Sequence, residues 1–192
     1  MAVAFTHEQF LAERLSGIGA SDAGIIMGVG LRTPYDLWRE KTGRRPSADL
    51  QGIPRVYWGT KLEDLVAAEF AQRHPTWNVR RRRYAVRSKR PEWQFALAHL
   101  DRTVRDDTAL VPLEIKTSQD FDEWESGIPH YYVGQVQHQL AVTGAPYAYV
   151  AALLSGYDYR ERIVPRDDAY TLRLWNARRS SGSSCRPTRS RP

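Results

Sequence analysis

The sequence predicts one domain of the α/β or α+β class, with helices around a central β-sheet. Helix signals dominate residues 6–74, strand signals dominate residues 77–117, and a further helix then precedes a closing pair of strands. The chain of 192 residues is long enough for one hydrophobic core, and its apolar content of 42% is typical of globular proteins. We find no internal repeat, so a solenoid or propeller is not expected.

Four helix signals open the sequence. Thr6 is a candidate N-cap for the first, and Ser21 begins the second. The third begins with Thr33 as N-cap and Pro34 at its first position, and it ends at Gly43. Apolar residues at positions 62, 65, 66 and 70 predict an amphipathic helix over residues 60–74, and the stretch before it, residues 48–59, is predicted to be a loop.

Strand signals follow the fourth helix. Alternating or β-rich residues predict strands within residues 77–88, 94–104 and 110–117. Residues 130–144 are typical of a helix that ends at Gly144. The remaining predicted elements are two paired strands, residues 147–156 and 158–166, and a last helix, residues 167–179.

The net charge of +6 is local rather than general. Residues 177–192 carry five arginines and no acidic residue, so the rest of the chain has a net charge of +1. Overall charge is therefore weak support for nucleic-acid binding. A second basic cluster, Arg80–Arg83 with Arg87, Lys89 and Arg90, fits a DNA contact and a solvated strand edge equally well.

The sequence also predicts the extent and the compartment of the domain. We expect the folded domain at residues 1–176 and a disordered basic tail, rich in Ser, Arg and Pro, at residues 177–192. The single cysteine, Cys185, excludes an internal disulfide framework and indicates a reducing compartment. No apolar run reaches about 18 residues, and the N-terminus lacks the pattern of a secretory signal. We therefore expect a cytoplasmic protein without a membrane anchor.

An acid and a lysine share one predicted strand. Glu114 and Lys116 project from one face, whereas Ile115 between them points into the core. Asp101 comes near Glu114 if the strands on either side of "RDDTA" form a hairpin. Paired carboxylates repel unless a cation joins them, and hard oxygen ligands suit Mg²⁺ or Mn²⁺. Such an ion activates water for phosphoryl chemistry, and Lys116 could position or deprotonate that water or stabilise phosphate charge. An ordinary surface Glu–Lys pair is the alternative interpretation.

Two helices offer further polar groups to this cluster. Glu63 lies beside apolar helix positions, so its carboxylate could join the other two, although a solvated helix face would also explain it. Tyr132, Gln135 and Gln139 share one face of the helix over residues 130–144, and this face either meets a polar site or is an ordinary helix surface. His138 lies off that face, which favours a structural role.

The stretch from Arg14 to Ser21 offers an anion site. Backbone amides at the start of the second helix, with the Ser21 hydroxyl, could hold a phosphate. Arg14 could add a bidentate contact. Simple capping of the helix by Ser21 or Asp22 is the alternative.

Six motifs in order resemble one known family. "RLSGIGASDAGIIMG", "TPYDLWREKTG", "WGTKLEDLVAAEF", "AHLDRTV", "LEIKT" and "YYVGQVQHQLAVTG" resemble the YqaJ-type viral recombinases, the phage lambda exonuclease branch of the PD-(D/E)xK nucleases. The resemblance covers about residues 12–165. Each motif alone is weak, and their order makes the resemblance specific.

The resemblance implies a fold, an activity and a set of roles. The fold is a restriction-endonuclease-like core with a mixed sheet flanked by helices. The activity is Mg²⁺-dependent hydrolysis of phosphodiester bonds in linear double-stranded DNA, 5′ to 3′. The resemblance further implies that Asp101, Glu114, Glu63 and the backbone carbonyl of Ile115 bind the metal. It implies that these acids act in catalysis with Lys116 and Gln135, supported by Tyr132. It also implies that Arg14 and Ser21 bind the 5′-phosphate.

The resemblance also implies partners. Such exonucleases work with a single-strand annealing protein in phage-type recombination, and some form a ring-shaped trimer around DNA. A phage or prophage origin in a bacterial host follows from the same resemblance. The chain departs from the family after about residue 168, where a basic Ser- and Arg-rich end replaces a longer acidic helix. A truncation or a reading-frame change would explain that departure.

Two other functions compete with the exonuclease. A structure-specific or sequence-specific endonuclease could use the same core, but Arg14 and Ser21 favour an enzyme that binds DNA ends. A non-catalytic DNA-binding module with a decayed site is the second alternative. The presence of Glu63, Asp101, Glu114 and Lys116 together argues against such decay.

Overall fold

The computed structural model describes residues 6–29, 32–47, 50 and 52–182. In chain order its helices and strands are α1 (His7–Leu15), α2 (Asp22–Ile26), α3 (Pro34–Lys41), α4 (Pro54–Arg73), β1 (Asn78–Arg81), β2 (Val86–Arg87), β3 (Leu97–Ala98), β4 (Arg102–Arg105), β5 (Leu110–Ser118), α5 (Asp122–Glu125), α6 (His130–Thr143), β6 (Tyr147–Leu154), β7 (Asp158–Pro165) and α7 (Asp168–Gly182). A short 3₁₀ turn over Pro91–Trp93 separates β2 from β3.

Five strands form the central sheet in the order β1-β4-β5-β6-β7. The β5–β6 pair is parallel and the other pairs are antiparallel, so the sheet is mixed. The expected hairpin is present, because β4 and β5 pair from Arg102 opposite Leu113 to Arg105 opposite Leu110. Strands β2 and β3 form a separate two-stranded sheet. The predicted class, helices around a central sheet, is confirmed.

A buried carboxylate closes the β4–β5 turn. Asp106 accepts hydrogen bonds from the backbone N–H groups of Thr108 and Ala109, each at 2.8 Å. The hydroxyls of Tyr147 and Tyr149, on β6, donate to it at 2.6 and 2.9 Å. Burial by itself raises the pKa of Asp106, but these hydrogen bonds outweigh burial and hold the pKa well below its usual value. The turn is therefore fastened to the neighbouring parallel strand.

Helices cover the two faces of β5. A Cβ added at Gly59 of α4 would lie 3.4 Å from Thr117 Oγ1, so α4 approaches the face that carries the odd-numbered residues. Ile115 is on that face and is buried in the core with Val66 and Phe70 of α4. Helix α6 supplies side chains to Glu114, on the opposite face. The alternation predicted for this strand is confirmed.

The local helix signals are confirmed in α1, α3 and α6. Thr6 and Thr33 both form capping boxes, with Gln9 and Asp36 as their partners. Gly144 ends α6 in the left-handed conformation at φ +74°, which glycine adopts without strain. Ser21 begins α2 without a side-chain capping bond.

The structure differs from the predicted elements at three places. Residues 54–59 are helical rather than a loop, because α4 begins at Pro54, a residue suited to the first turn. Helix α7 continues to Gly182, three residues past its predicted end at residue 179. The disordered tail over residues 177–192 stays a prediction, because residues 183–192 lie outside the described residues. The short helix α5 was not expected, although its Trp124 is buried in the core.

His138 has a structural place, as expected. Its ring is fully buried, and Nε2 lies 2.7 Å from the carbonyl oxygen of Leu97 on β3. The ring also stacks on Trp175 of α7 at a centroid distance of 5.4 Å. His138 therefore joins α6 to β3 and α7. Among the described helices, none has the length and apolar character needed to cross a membrane.

Candidate active site

Glu114 and Lys116 meet on the inner face of β5. Glu114 is 1% exposed, and the ammonium of Lys116 donates a hydrogen bond to its Oε1. Lys116 Nζ also donates to Gln135 Oε1 at 3.2 Å and lies 4.6 Å from the centre of the Tyr132 ring. The predicted Glu–Lys pair is thus an internal ion pair rather than a surface pair.

Asp101 completes the pair at the start of β4. Its Oδ2 accepts a hydrogen bond from the backbone N–H of Ile115 at 2.8 Å, just beyond the last β4–β5 pair. Burial raises the pKa of Asp101 well above its usual value, Glu114 and Glu63 raise it further, and Lys116 opposes them. The hairpin therefore places two carboxylates near one ammonium, as the sequence predicted.

The centre of β5 holds this cluster. Strand β5 is third of the five strands, so the cluster lies within the sheet rather than at its edge. The site lies where the antiparallel partner β4 gives way to the parallel partner β6 along β5. A central position shields the charges from water, so their mutual interactions are stronger than at an edge.

One face of α6 supplies amides to Glu114. Gln135 donates to its Oε1, and Gln139 donates to its Oε2. The face predicted to carry Tyr132, Gln135 and Gln139 is therefore the one that meets the polar site. Gln139 lay on that face in the sequence but received no site role; its spacing from Gln135, at i and i+4, was the available signal.

Glu63 has a different partner from the one expected. Its Oε1 pairs with the guanidinium of Arg102, which also donates to Asp64 and to the carbonyl oxygen of Asp101. Arg102 is only 4% exposed, and the carboxylates of Glu63 and Asp64 compensate its buried positive charge. Glu63 adds charge near Asp101 without joining the Asp101–Glu114 pair.

Sequence reasoning missed Arg102 altogether. Strand alternation puts the residue after Asp101 on the α4 side of the sheet. A buried arginine requires acidic partners, and the adjacent pair Glu63 and Asp64 on an amphipathic helix was the signal that could have located it.

The ammonium of Lys116 is held in its charged form. Burial alone would lower the pKa of Lys116, but Glu114 and Asp101 outweigh burial and raise the pKa above its usual value. This environment favours a cation that binds an anionic oxygen over a lysine that accepts a proton.

The donor set suits a hard divalent cation. Asp101 and Glu114 bring carboxylate oxygens together in a largely buried place, where a bound cation would remove their repulsion. Gln139 Oε1 is buried and has no hydrogen-bond partner within the described part of the chain, which leaves an acceptor for water. Among the described residues, no three His, Cys, Asp or Glu side chains are grouped to hold a metal. The carboxylates of Asp101 and Glu114 are therefore suited to a metal ion, and Glu63 does not form a three-ligand group with them in this structure.

The loop before α2 is fixed to the segment that precedes Asp101. Ile18 N donates to Phe95 O at 2.8 Å, and Leu97 N donates to Ile18 O at 3.0 Å. A Cβ at Gly17 would lie 2.4 Å from Phe95 O, so this approach requires glycine. The loop therefore lies against the chain that leads through β3 to Asp101.

Arg14 and Ser21 flank that loop. Lys41 on α3 donates to the carbonyl oxygen of Arg14 at 2.6 Å and pairs with Asp22 at 2.8 Å. Asp22 also accepts the N–H of Gly19 at 2.8 Å, so Asp22 rather than Ser21 fastens the turn. The Ser21 side chain is exposed and makes no capping bond.

The fold and the site together define a class of protein. A mixed sheet carries an acid and a lysine two residues apart on its central strand, and a second acid directly precedes the neighbouring strand. This is the restriction-endonuclease-like fold. Within that class, the chain belongs to the family of YqaJ-like viral recombinase domains, whose family model matches residues 9–146.

A curated relative and two solved structures resemble the chain. The uncharacterized protein YqaJ of Bacillus subtilis (strain 168) is 39% identical over 167 residues, which are 85% of this chain and 51% of that protein. The chain thus spans about half the length of this relative. An alkaline exonuclease (LHK-Exo) from Laribacter hongkongensis superposes with a TM-score of 0.75 at 21% identity, over 93% of this chain and 92% of that one. A phage related exonuclease from Haemophilus somnus 129PT superposes with a TM-score of 0.67 at 12% identity, over 87% of this chain and 92% of that one. The likeness to both solved structures is one of fold.

Proposed function

We propose that the protein is a metal-dependent deoxyribonuclease that degrades linear double-stranded DNA from its ends. The convergence of Asp101, Glu114 and Lys116 on the central strand carries this proposal. Membership of the YqaJ-like viral recombinase family supports it, and the alkaline exonuclease and the phage related exonuclease share the fold.

The proposed metal is Mg²⁺, with Mn²⁺ as a substitute. Asp101, Glu114 and the backbone carbonyl of Ile115 would hold it, because these are hard oxygen donors. Glu63 would join them only by leaving Arg102. The bound ion would polarise the scissile phosphate and activate a water molecule for attack.

Protein side chains have separate proposed roles. The Lys116 ammonium binds an oxygen of the scissile phosphate and stabilises the negative charge that develops there. Gln135 contacts both Lys116 and Glu114, so it fixes the distance between acid and lysine. The Tyr132 ring lies against the ammonium and excludes water from one side of it.

End recognition is the proposed role of Arg14 and Ser21. A terminal 5′-phosphate would be bound by the Arg14 guanidinium and the Ser21 hydroxyl. The contacts between their loop and residues 95–97 support a position close to Asp101. Recognition of a 5′ end implies degradation from 5′ to 3′.

The proposed context is phage-type homologous recombination. In it the protein acts in the cytoplasm of a bacterial host together with a single-strand annealing protein, and a ring-shaped trimer would keep it on the DNA. Family membership supports this proposal.

Digestion of two DNA substrates tests the activity. Linear 5′-phosphorylated duplex and a covalently closed circle are incubated with Mg²⁺ and, in parallel, with EDTA. We expect loss of the linear DNA alone, and only with Mg²⁺. Nicking of the circle would replace the proposal with an endonuclease, and binding without cleavage would replace it with a DNA-binding module.

A further inference from the structure

A basic segment lies outside the roles described so far. Residues 78–91 contain seven basic residues and no acidic one. All seven are exposed, and we call them the basic strip: Arg80, Arg81, Arg82, Arg83, Arg87, Lys89 and Arg90. The strip begins on β1, the edge strand, and continues through β2.

Strand pairing places the strip beside the candidate active site. In the backbone register of the strands, Arg81 of β1 lies opposite Arg102 of β4, and Val86 of β2 lies opposite Ala98 of β3. The intervening residues 82–85 therefore run alongside residues 99–101, which end at Asp101. Arg82 directly follows Arg81 and Asp101 directly precedes Arg102, so the backbone of Arg82 lies close to that of Asp101.

A carboxylate fixes this neighbourhood. Glu13 Oε2 accepts the backbone N–H of Ala85 at 3.0 Å and lies 2.9 Å from His99 Nε2. One side chain of α1 thus connects the strip to the segment before Asp101. The position of the strip near the site does not depend on strand pairing alone.

Most of the positive charge in the strip is not compensated. Arg82, Arg83 and Lys89 make no ion pair or hydrogen bond with the described residues. Arg81 pairs with Asp64 at 3.4 Å, but both side chains are more than half exposed, so the pair is weak. Neighbouring positive charges repel one another, and the binding of an external anion would relieve this repulsion.

Protection of the sheet edge explains only part of the strip. Charged residues on an edge strand prevent pairing with another chain, and Arg80 and Arg81 can serve this purpose on β1. Arg87 lies on β2, which is also an edge strand, but Arg82, Arg83, Lys89 and Arg90 lie outside both strands. Protection of a strand edge does not account for these four charges.

We infer that the basic strip binds the phosphate backbone of double-stranded DNA next to the end held in the active site. The inference rests on the proposed function and adds the surface that holds the duplex. Arginines match phosphate oxygens in charge and in their paired donors, and they read no base sequence from the backbone. Binding by the strip is therefore independent of DNA sequence.

A salt series tests the strip separately from cleavage. Association of a fluorescein-labelled hairpin duplex is measured by anisotropy in EDTA at several salt concentrations, for the wild type and for Arg82→Gln/Arg83→Gln. Each phosphate contact adds about 0.9 to the slope of log K against log salt, so the double variant should lose about 1.8. Its binding at 0.1 M salt should weaken by more than about tenfold.

Two controls isolate the position of the charge. Arg73→Gln/Arg162→Gln removes the same charge from exposed residues on the β7 side of the molecule and should leave the slope unchanged. Arg82→Lys/Arg83→Lys keeps the charge and should keep the slope. Thermal melting checks that each variant is folded.

The outcomes separate this inference from the proposed function. Equal slopes for the wild type and the Arg82/Arg83 variant would overturn the inference, even if the wild type digests linear DNA. An equal loss in the Arg73/Arg162 control would also overturn it, because bulk charge would then explain binding. A wild type that binds through the strip but cuts no DNA would remove the exonuclease and leave the strip.

Discussion

For the individual residues of the site, the important feature is how each buried carboxylate is compensated, because an unpaired buried charge is strongly destabilising. Glu114 receives donors from Lys116, Gln135 and Gln139, so its two oxygens are satisfied from two elements. Asp101 has a single backbone donor, Ile115 N–H, and its pKa is raised by burial and by its acidic neighbours. Loss of the Asp101 charge should therefore affect stability differently from loss of the Lys116 charge.

Asp101→Asn and Lys116→Ala should both abolish DNA cleavage but differ in stability. The asparagine oxygen can still accept the Ile115 N–H, and one repelling charge is gone, so stability without metal should be unchanged or slightly higher. Lys116→Ala leaves Glu114 buried without its cation, which should cost about 3 kcal/mol. Urea unfolding in EDTA, beside a digestion assay, measures both effects. A strongly destabilised Asp101→Asn would contradict the charge balance described here.

Arg14→Ala should remove the preference for 5′-phosphorylated ends. The guanidinium is the proposed partner of the terminal phosphate, so digestion of phosphorylated DNA should slow by about tenfold or more, in line with a lost charge-assisted contact. Digestion of 5′-hydroxyl DNA should change little. Equal rates of the wild type on the two kinds of end would exclude the pocket.

Lys41→Met should weaken the same preference indirectly. The Lys41 side chain is 8% exposed and holds both Asp22 and the carbonyl oxygen of Arg14, so its loss should cost about 3 kcal/mol and release the end of α1. Urea unfolding and the ratio of rates on the two kinds of end are the measurements. Arg73→Met, which breaks an exposed pair with Glu69, is the matched control and should alter neither quantity. An unchanged ratio in a destabilised Lys41→Met would limit Lys41 to a structural role.

At the scale of the element, the β4–β5 hairpin sets the distance between Asp101 and Glu114. The hairpin is held by Asp106, whose hydrogen bonds reach the turn and two tyrosines of β6. A slip of this pairing by one residue would turn Asp101 to the α4 side of the sheet. The turn therefore contributes to the geometry of the site from a distance.

Asp106 should make stability depend on acid pH. Its pKa is lower in the folded protein than in the unfolded chain, so its contribution is complete above the unfolded pKa of about 3.9 and is lost progressively as the pH falls below that value. Asp106→Asn should cost about 2 kcal/mol at pH 7. The difference from the wild type should shrink below about pH 4, as measured by urea unfolding. A difference that stays constant across this range would exclude the carboxylate as its source.

At the scale of the whole molecule, bound metal should stabilise the fold. The wild type should melt at a higher temperature as Mg²⁺ is added, because only the folded chain brings Asp101 and Glu114 together. Asp101→Asn should show no such increase, and Glu63→Gln should retain most of it if Glu63 stays with Arg102. Thermal melting with Mg²⁺ and with EDTA is the measurement. An increase equal in the wild type and in Asp101→Asn would place the ion elsewhere.

Patterns within single helices and strands were enough to predict which side chains share a face. Alternation along β5 was enough to place Glu114 and Lys116 on one face with Ile115 on the other, and helical spacing was enough to group Tyr132, Gln135 and Gln139. The caps at Thr6, Thr33 and Gly144 were also readable, because each depends on a few neighbouring residues. These features follow from backbone geometry within one element.

Ion pairs between different elements, by contrast, depend on how those elements pack. Neighbouring acids at Glu63 and Asp64 could suggest a basic partner, but only the packing of α4 on the sheet shows that this partner is Arg102, which pairs with Glu63 apart from the Asp101–Glu114 pair. Whether two side chains meet depends on how whole elements pack, and that depends on contacts spread over the core rather than on local spacing. The approach of residues 82–85 to the segment before Asp101 was settled in the same way. Local patterns therefore gave the candidate residues, and packing chose their partners.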